Sequence, residues 1–87
     1  MIIKVTQEHI DAGTRKSCFH CPIALAVKEA TCMDPAVRPY GVRFYAYPKY
    51  IIELPNSAIR FIENFDNHVP VKPFEFNLDF DRRIREI

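Results

Sequence analysis

The sequence predicts an α+β fold: a two-layer sandwich in which a small, mainly antiparallel sheet carries two helices on one face. Three observations predict it. Phe74-Glu75-Phe76-Asn77-Leu78-Asp79-Phe80 alternates apolar with polar residues, the period of a half-buried strand. The stretches opening at Pro22 and around Pro55 place apolar residues at helical spacing. Between them, Val42 to Tyr47 and Tyr50 to Leu54 are dense in β-branched and aromatic residues, as strands of a hairpin are. Strand, helix, hairpin, helix and strand then pack as one sheet layer under one helical layer.

Each element has a local reason. Ile2 to Thr6 is rich in β-branched residues and reads as a strand. Thr6 is placed to cap a short helical turn through Gln7-Glu8-His9-Ile10, with Gly13 supplying a left-handed residue to end it. Pro22 belongs at the first helical position, where it needs no N–H partner, so Cys21 becomes the N-cap. That helix runs to about Cys32 or Met33, with Ala24, Val27 and Ala30 on its apolar stripe. Asp34-Pro35 and Arg38-Pro39-Tyr40-Gly41 are breakers, so residues 34–41 read as a loop. Pro48-Lys49 joins the hairpin strands. Leu54-Pro55-Asn56-Ser57 opens the second helix, whose apolar side carries Ala58, Ile62 and Phe65, widened by Ile59 and Phe61. Asp66-Asn67-His68 ends it, and Val69 to Pro73 is an extended connector. In the last strand, Phe74, Phe76, Leu78 and Phe80 point toward the helices, with Phe76 the most buried.

Composition narrows the function classes. At 87 residues the chain is one domain, assigned to residues 1–81 with a charged C-terminal tail at 82–87. Apolar and charged shares of 48% and 26% are ordinary globular usage. A formal net charge of +1 gives no overall field to steer a polyanion, which makes nucleic acid an unfavoured partner. No apolar stretch approaches the roughly 20 residues of a membrane span, so no membrane association is expected. The N-terminus turns polar too soon for a signal peptide. Three cysteines without a secretion signal suit a reducing cytoplasm.

Two groups of residues could carry function. Cys18, His20 and Cys21 stand at the start of a helix, where free backbone N–H groups lower a thiol's pKa and favour a nucleophilic or metal-ligating thiolate. Zinc is the metal such a pair suits, although Cys32, about 16 Å further along a continuous helix, cannot complete the set. The spacing also resembles redox motifs of the thioredoxin type, but the proline follows the pair instead of lying within it. As small half-buried residues, the same cysteines could simply fix the helix start with no cofactor. The second group is Arg38, Tyr40, Arg43, Tyr45, Tyr47, Lys49 and Tyr50, where aromatic rings and cations interleave on a hairpin. A single-stranded nucleic-acid platform uses that combination, and so do protein interfaces. No nucleophile–base pair or phosphate loop is evident, which disfavours an enzyme.

Several segments together resemble a family. Val5-Thr6-Gln7-Glu8-His9-Ile10-Asp11 and Ser17-Cys18-Phe19-His20-Cys21-Pro22-Ile23-Ala24-Leu25-Ala26 look like the front half of small, poorly characterised proteins encoded by bacteriophages and prophages. Leu54-Pro55, Phe61-Ile62-Glu63-Asn64-Phe65-Asp66 and Val71-Lys72-Pro73-Phe74-Glu75-Phe76 resemble the back half. The likeness omits residues 31–50, and the tail from Arg82 is additional to it. It implies a phage accessory protein in the host cytoplasm and brings no established activity. The resulting expectation is a non-enzymatic protein without cofactor that binds a host or phage protein, inhibition of a host defence system being one such role. The alternatives are a thiol-dependent zinc or redox protein and a single-stranded nucleic-acid binder. The last strand, if at a sheet edge, could also pair with a second copy as a homodimer.

Overall fold

The computed structural model describes residues 1–45 and 49–85. The elements are β1 (Ile2–Val5), α1 (Gln7–Ala12), α2 (Pro22–Thr31), β2 (Pro35–Arg38), β3 (Gly41–Phe44), β4 (Tyr50–Glu53), α3 (Asn56–Asp66), β5 (Phe74–Asn77), a 3-10 turn (Phe80–Arg82) and β6 (Ile84–Arg85). The fold is α+β with antiparallel pairing throughout, its strands divided between two sheets: β1–β5, and β2–β3–β4–β6.

The helix starts follow from their caps. The Thr6 hydroxyl accepts from the His9 backbone N–H at 3.3 Å, and His9 Nδ1 accepts from the Thr6 N–H at 3.0 Å. This is a capping box with imidazole in the place of the usual Glu or Gln. Because Nδ1 accepts, the neutral ring carries its proton on Nε2, which donates to the Glu29 carboxylate on α2. A buried histidine therefore ties α1 to α2. Gly13 follows α1 but is not left-handed, at φ −72°. Its need for glycine is spatial, since a Cβ there would lie 2.6 Å from the Pro22 ring.

One core joins both sheets and the helices. α2 contributes Ile23, Ala24, Ala26 and Val27, α3 contributes Ala58, Phe61 and Phe65, and the sheets contribute Ile3, Val5, Val37, Val42, Phe44, Ile52 and Phe76. Ala30, expected on the apolar stripe, is exposed because α2 turns its Ile23–Val27 side inward. Phe61 stacks on Phe74 with ring centroids 4.8 Å apart, which fixes α3 against β5.

Three elements differ from the sequence reading. Residues 35–38 form β2 rather than loop, paired through Ala36↔Arg43 and Val37↔Val42. Pro35 sits at the first strand position and Pro39 in the turn, so neither removes a ladder hydrogen bond. The last strand stops at Asn77, and Phe80 opens a 3-10 turn capped by Asp79, whose carboxylate accepts from the Asp81 N–H at 3.0 Å. The alternation survives as burial, with Phe76 at 5%, but Leu78 at 0% is the most buried of the set, held by its N–H to the Met1 carbonyl at 2.8 Å. Within the segment assigned as a tail, Ile84–Arg85 adds β6 to the edge of β4 through Ile51↔Ile84 and Tyr50↔Arg85.

Candidate functional site

The cysteine loop is built as a brace. Cys21 is the N-cap of α2, its Sγ accepting from the Ala24 N–H at 3.4 Å. It is only 5% exposed. Burial pushes its thiol above the ordinary value of 9.0, outweighing the lowering by the Ala24 and Ile23 backbone N–H groups. The helix-start effect expected from the sequence is thus present but second to desolvation, and Cys21 is held as the thiol. The Cys18 carbonyl accepts from the Val37 N–H at 2.7 Å, so the loop covers the outer edge of β2. His20 is exposed, its backbone N–H bonded to Ser17 Oγ at 3.1 Å and its ring 3.4 Å from the same hydroxyl.

The loop's other anchors reach α3. Arg15 Nε donates to the Phe65 carbonyl at 3.1 Å, with the guanidinium 5.1 Å from the centre of the Phe65 ring. The Lys16 N–H donates to Asp66 Oδ1 at 2.8 Å. Cys32 lies at the far end of α2 in a left-handed conformation, φ 60°, and all three cysteines are free. Among the described residues no three His, Cys, Asp or Glu side chains converge on a common point.

The second group forms a face. Strand pairing sets Ala36, Arg43, Ile51 and Ile84 in one row across β2, β3, β4 and β6, on the side opposite the core residues Val37, Val42, Phe44 and Ile52. Arg38, two residues from Ala36, and Tyr45, two residues from Arg43, extend the same side. There the Arg43 and Arg38 guanidiniums hold the pKa of the Tyr45 phenol below the usual 10.0. The Nε of Arg38 is buried without a hydrogen-bond partner among the described residues. Glu53 occupies the row of Gly41 and Arg38. Gly41 is needed for the close approach of β3 to β4, since a Cβ would lie 2.7 Å from the Ile52 carbonyl oxygen.

A cleft of about 460 Å³ opens beside this row, lined in part by Tyr40, Ile51, Glu53, Ile59 and Ile84. Tyr40, Tyr45 and Ile84 are 55%, 43% and 49% exposed, and all three belong to the face or its cleft. Lys49 is exposed and immediately precedes β4. Tyr50 departs from the expected group: it turns to the core side, 5.2 Å from the Phe44 ring, with Arg83 over its own ring at 5.5 Å. Tyr47 lies outside the described residues. Ile51, Glu53 and Ile84 were not singled out by sequence. The signal available was Arg83-Ile84-Arg85, one apolar residue between cations, which is how a short edge strand reads.

A separate cleft of about 490 Å³ lies between the sheets, where Ile52–Pro55 faces Phe76, Asn77, Asp79 and Arg82. No helix among the described residues is long and apolar enough to cross a membrane. Compared with known proteins, the chain matches no family model, and neither a curated protein nor a solved structure is significantly similar to it.

Proposed function

We propose that this chain is a non-enzymatic binding protein whose contact surface for a host or phage protein is the outer face of the four-stranded sheet. One observation carries the reading: three strongly exposed apolar or aromatic side chains, Tyr40, Tyr45 and Ile84, gather with Arg38 and Arg43 on one side of the molecule. Tyrosine and arginine are the residue types enriched where binding energy concentrates, because each offers a large rigid contact area with a polar end. The four-stranded sheet and the core beneath it supply a stiff support for that face. The phage accessory role, with interference in a host defence as one form of it, rests on the sequence resemblance and is part of the proposal.

The test is paired affinity capture from infected cells. Wild type is compared with Tyr40→Ser, at an exposed position on the face, and with Lys72→Glu, at an exposed position outside the face's strands and cleft. A protein retained by wild type and Lys72→Glu but lost from Tyr40→Ser supports the reading. A protein retained equally by all three would move the contact elsewhere, and recovery of none by wild type would count against protein binding itself.

A further inference from the structure

We infer that the cleft between the two sheets takes an extended peptide segment of a partner protein as an added strand on the open edge of β5, its residues alternating apolar with basic. This is a second surface, and it does not depend on the outer-face reading above. Hydrogen bonding shows which edges are open. The Leu78 N–H donates to the Met1 carbonyl at 2.8 Å, and the Met1 amine donates to the Leu78 carbonyl at 3.0 Å. Antiparallel strands alternate bonded and non-bonded pairs, so Phe74 and Phe76 also turn their backbone groups toward β1. Glu75 and Asn77 turn theirs away, and no strand among the described residues pairs with that side of β5. Both residues are exposed. On β4, the Leu54 N–H donates to the Tyr40 carbonyl at 3.2 Å, and the same alternation turns Ile51 and Glu53 outward. Ile84 of β6 stands opposite Ile51, but β6 does not extend opposite Glu53.

The other edges differ. The outer edge of β2 is covered at Val37 by the Cys18 carbonyl. The outer edge of β1 is unpaired as well, but the cleft of about 490 Å³ borders β5 and its lining includes no residue of β1. Ile52, Leu54, Phe76 and Ile84 form its apolar walls, which give a side chain of an added strand a seat. Main-chain hydrogen bonds hold such a strand, and the seat for its alternate side chains selects it. The rim sets the partner's charge. Glu53 and Asp79 line the cleft against a single cation, Arg82, while Glu75 on the edge stands opposite Lys4 of β1. Glu53 takes part in no ion pair among the described residues, so a cation on the partner meets an unopposed carboxylate there. The chain itself contains a strand of this chemistry. Arg83-Ile84-Arg85 lies on the same β4 edge, directly before the open backbone groups of Glu53, and the added strand continues that edge. A second copy of β5 would bring another Glu75 and Asp79 to the rim, which like-charge repulsion opposes.

The experiment titrates the isotopically labelled full chain with three capped probes, followed by amide chemical shifts and hydrogen exchange. The first is a peptide alternating lysine with valine, and the second has glutamates in place of the lysines. The third keeps the lysine and valine side chains but has esters in place of its amides, which removes the backbone donors. Saturable shifts and slowed exchange at the Glu75 and Asn77 amides are expected from the lysine–valine peptide alone. Asn77→Pro removes an outward N–H where an edge strand tolerates proline, and should weaken that binding about tenfold. Asn77→Ala keeps the N–H and should bind as wild type does. Glu53→Lys, at an exposed position, should also weaken binding about tenfold and keeps the test valid if Asn77→Pro fails to fold. Equal binding of the ester or glutamate probe, unchanged affinity in Glu53→Lys, shifts centred away from Glu75 and Asn77, or no saturable shift with any probe overturns the inference. If no probe binds while Tyr40→Ser still loses a captured protein, strand addition is refuted and the outer-face reading stands.

Discussion

Replacing Cys21 separates a capping role from thiol chemistry. Its Sγ accepts from the Ala24 N–H at the start of α2 and is nearly enclosed at 5% exposure. Serine is among the best N-cap residues and keeps an acceptor at this place, while its buried hydroxyl carries a larger desolvation cost than a thiol. The two effects oppose, so Cys21→Ser should change stability by no more than about 1 kcal/mol, near 4–8 °C in Tm for a domain of this size. Cys21→Ala keeps the small apolar volume but leaves the Ala24 N–H without its acceptor. That loss should cost about 0.5–2 kcal/mol. Thermal unfolding by circular dichroism, with metal content measured on the same samples, reads both. The capping account requires Cys21→Ser to stay within about 1 kcal/mol of wild type and Cys21→Ala to fall below wild type. A fall beyond about 3 kcal/mol in both variants, with near-stoichiometric zinc in wild type, would refute it, since binding energy of a structural metal is folding energy.

Three further outcomes follow from the geometry. Phe76→Ala removes a nearly buried ring packed 5.7 Å from Phe74 and should cost about 3–5 kcal/mol, whereas Asn77→Ala loses only an exposed contact with the Met1 amine and should stay within about 0.5 kcal/mol. Equal denaturation midpoints for the two would show that β5 is misplaced. Cys32→Gly relieves the left-handed φ of 60° at the end of α2 and should raise stability by about 0.5–1 kcal/mol, seen as a higher Tm; a lower Tm contradicts it. Tyr45 should ionise below 10.0 in an ultraviolet titration, with Arg43→Gln moving it back up toward 10.0. Because the folded phenol ionises before the unfolded one, its contribution to stability is present above pH 10.0 and is lost as pH falls through the folded value. An unchanged early transition in Tyr45→Phe would contradict the assignment.

What could be read from the sequence was whatever depended on local pattern. β1, α2, β3, β4, α3 and the burial alternation around Phe76 follow from periodicity and from Pro22 and Cys21 at a helix start. β2 was obscured because Pro35 and Pro39 are breakers inside a helix, yet harmless at a strand's first position and in a turn. β6 was obscured because its two residues are held by pairing with β4, a contact distant in sequence. The division into two sheets likewise depends on which strands meet, and pattern within a strand does not encode that. At the cysteines, sequence identified the cap but not the enclosure that raises the thiol's pKa, because burial is a property of the assembled core. On the sheet face, Arg43 and Tyr45 were visible as neighbours on one strand side, while Ile51 and Ile84 joined them only through cross-strand register.

The claim that the outer sheet face is the working surface is tested most directly by partner retention across matched variants. With folding checked by Tm, Tyr40→Ser and Ile84→Ser, both at exposed positions on the cleft, should each lose the protein that wild type captures. Lys72→Glu, exposed and outside that surface, should retain it. Retention by both cleft variants, at wild-type levels and with unchanged Tm, would contradict the account.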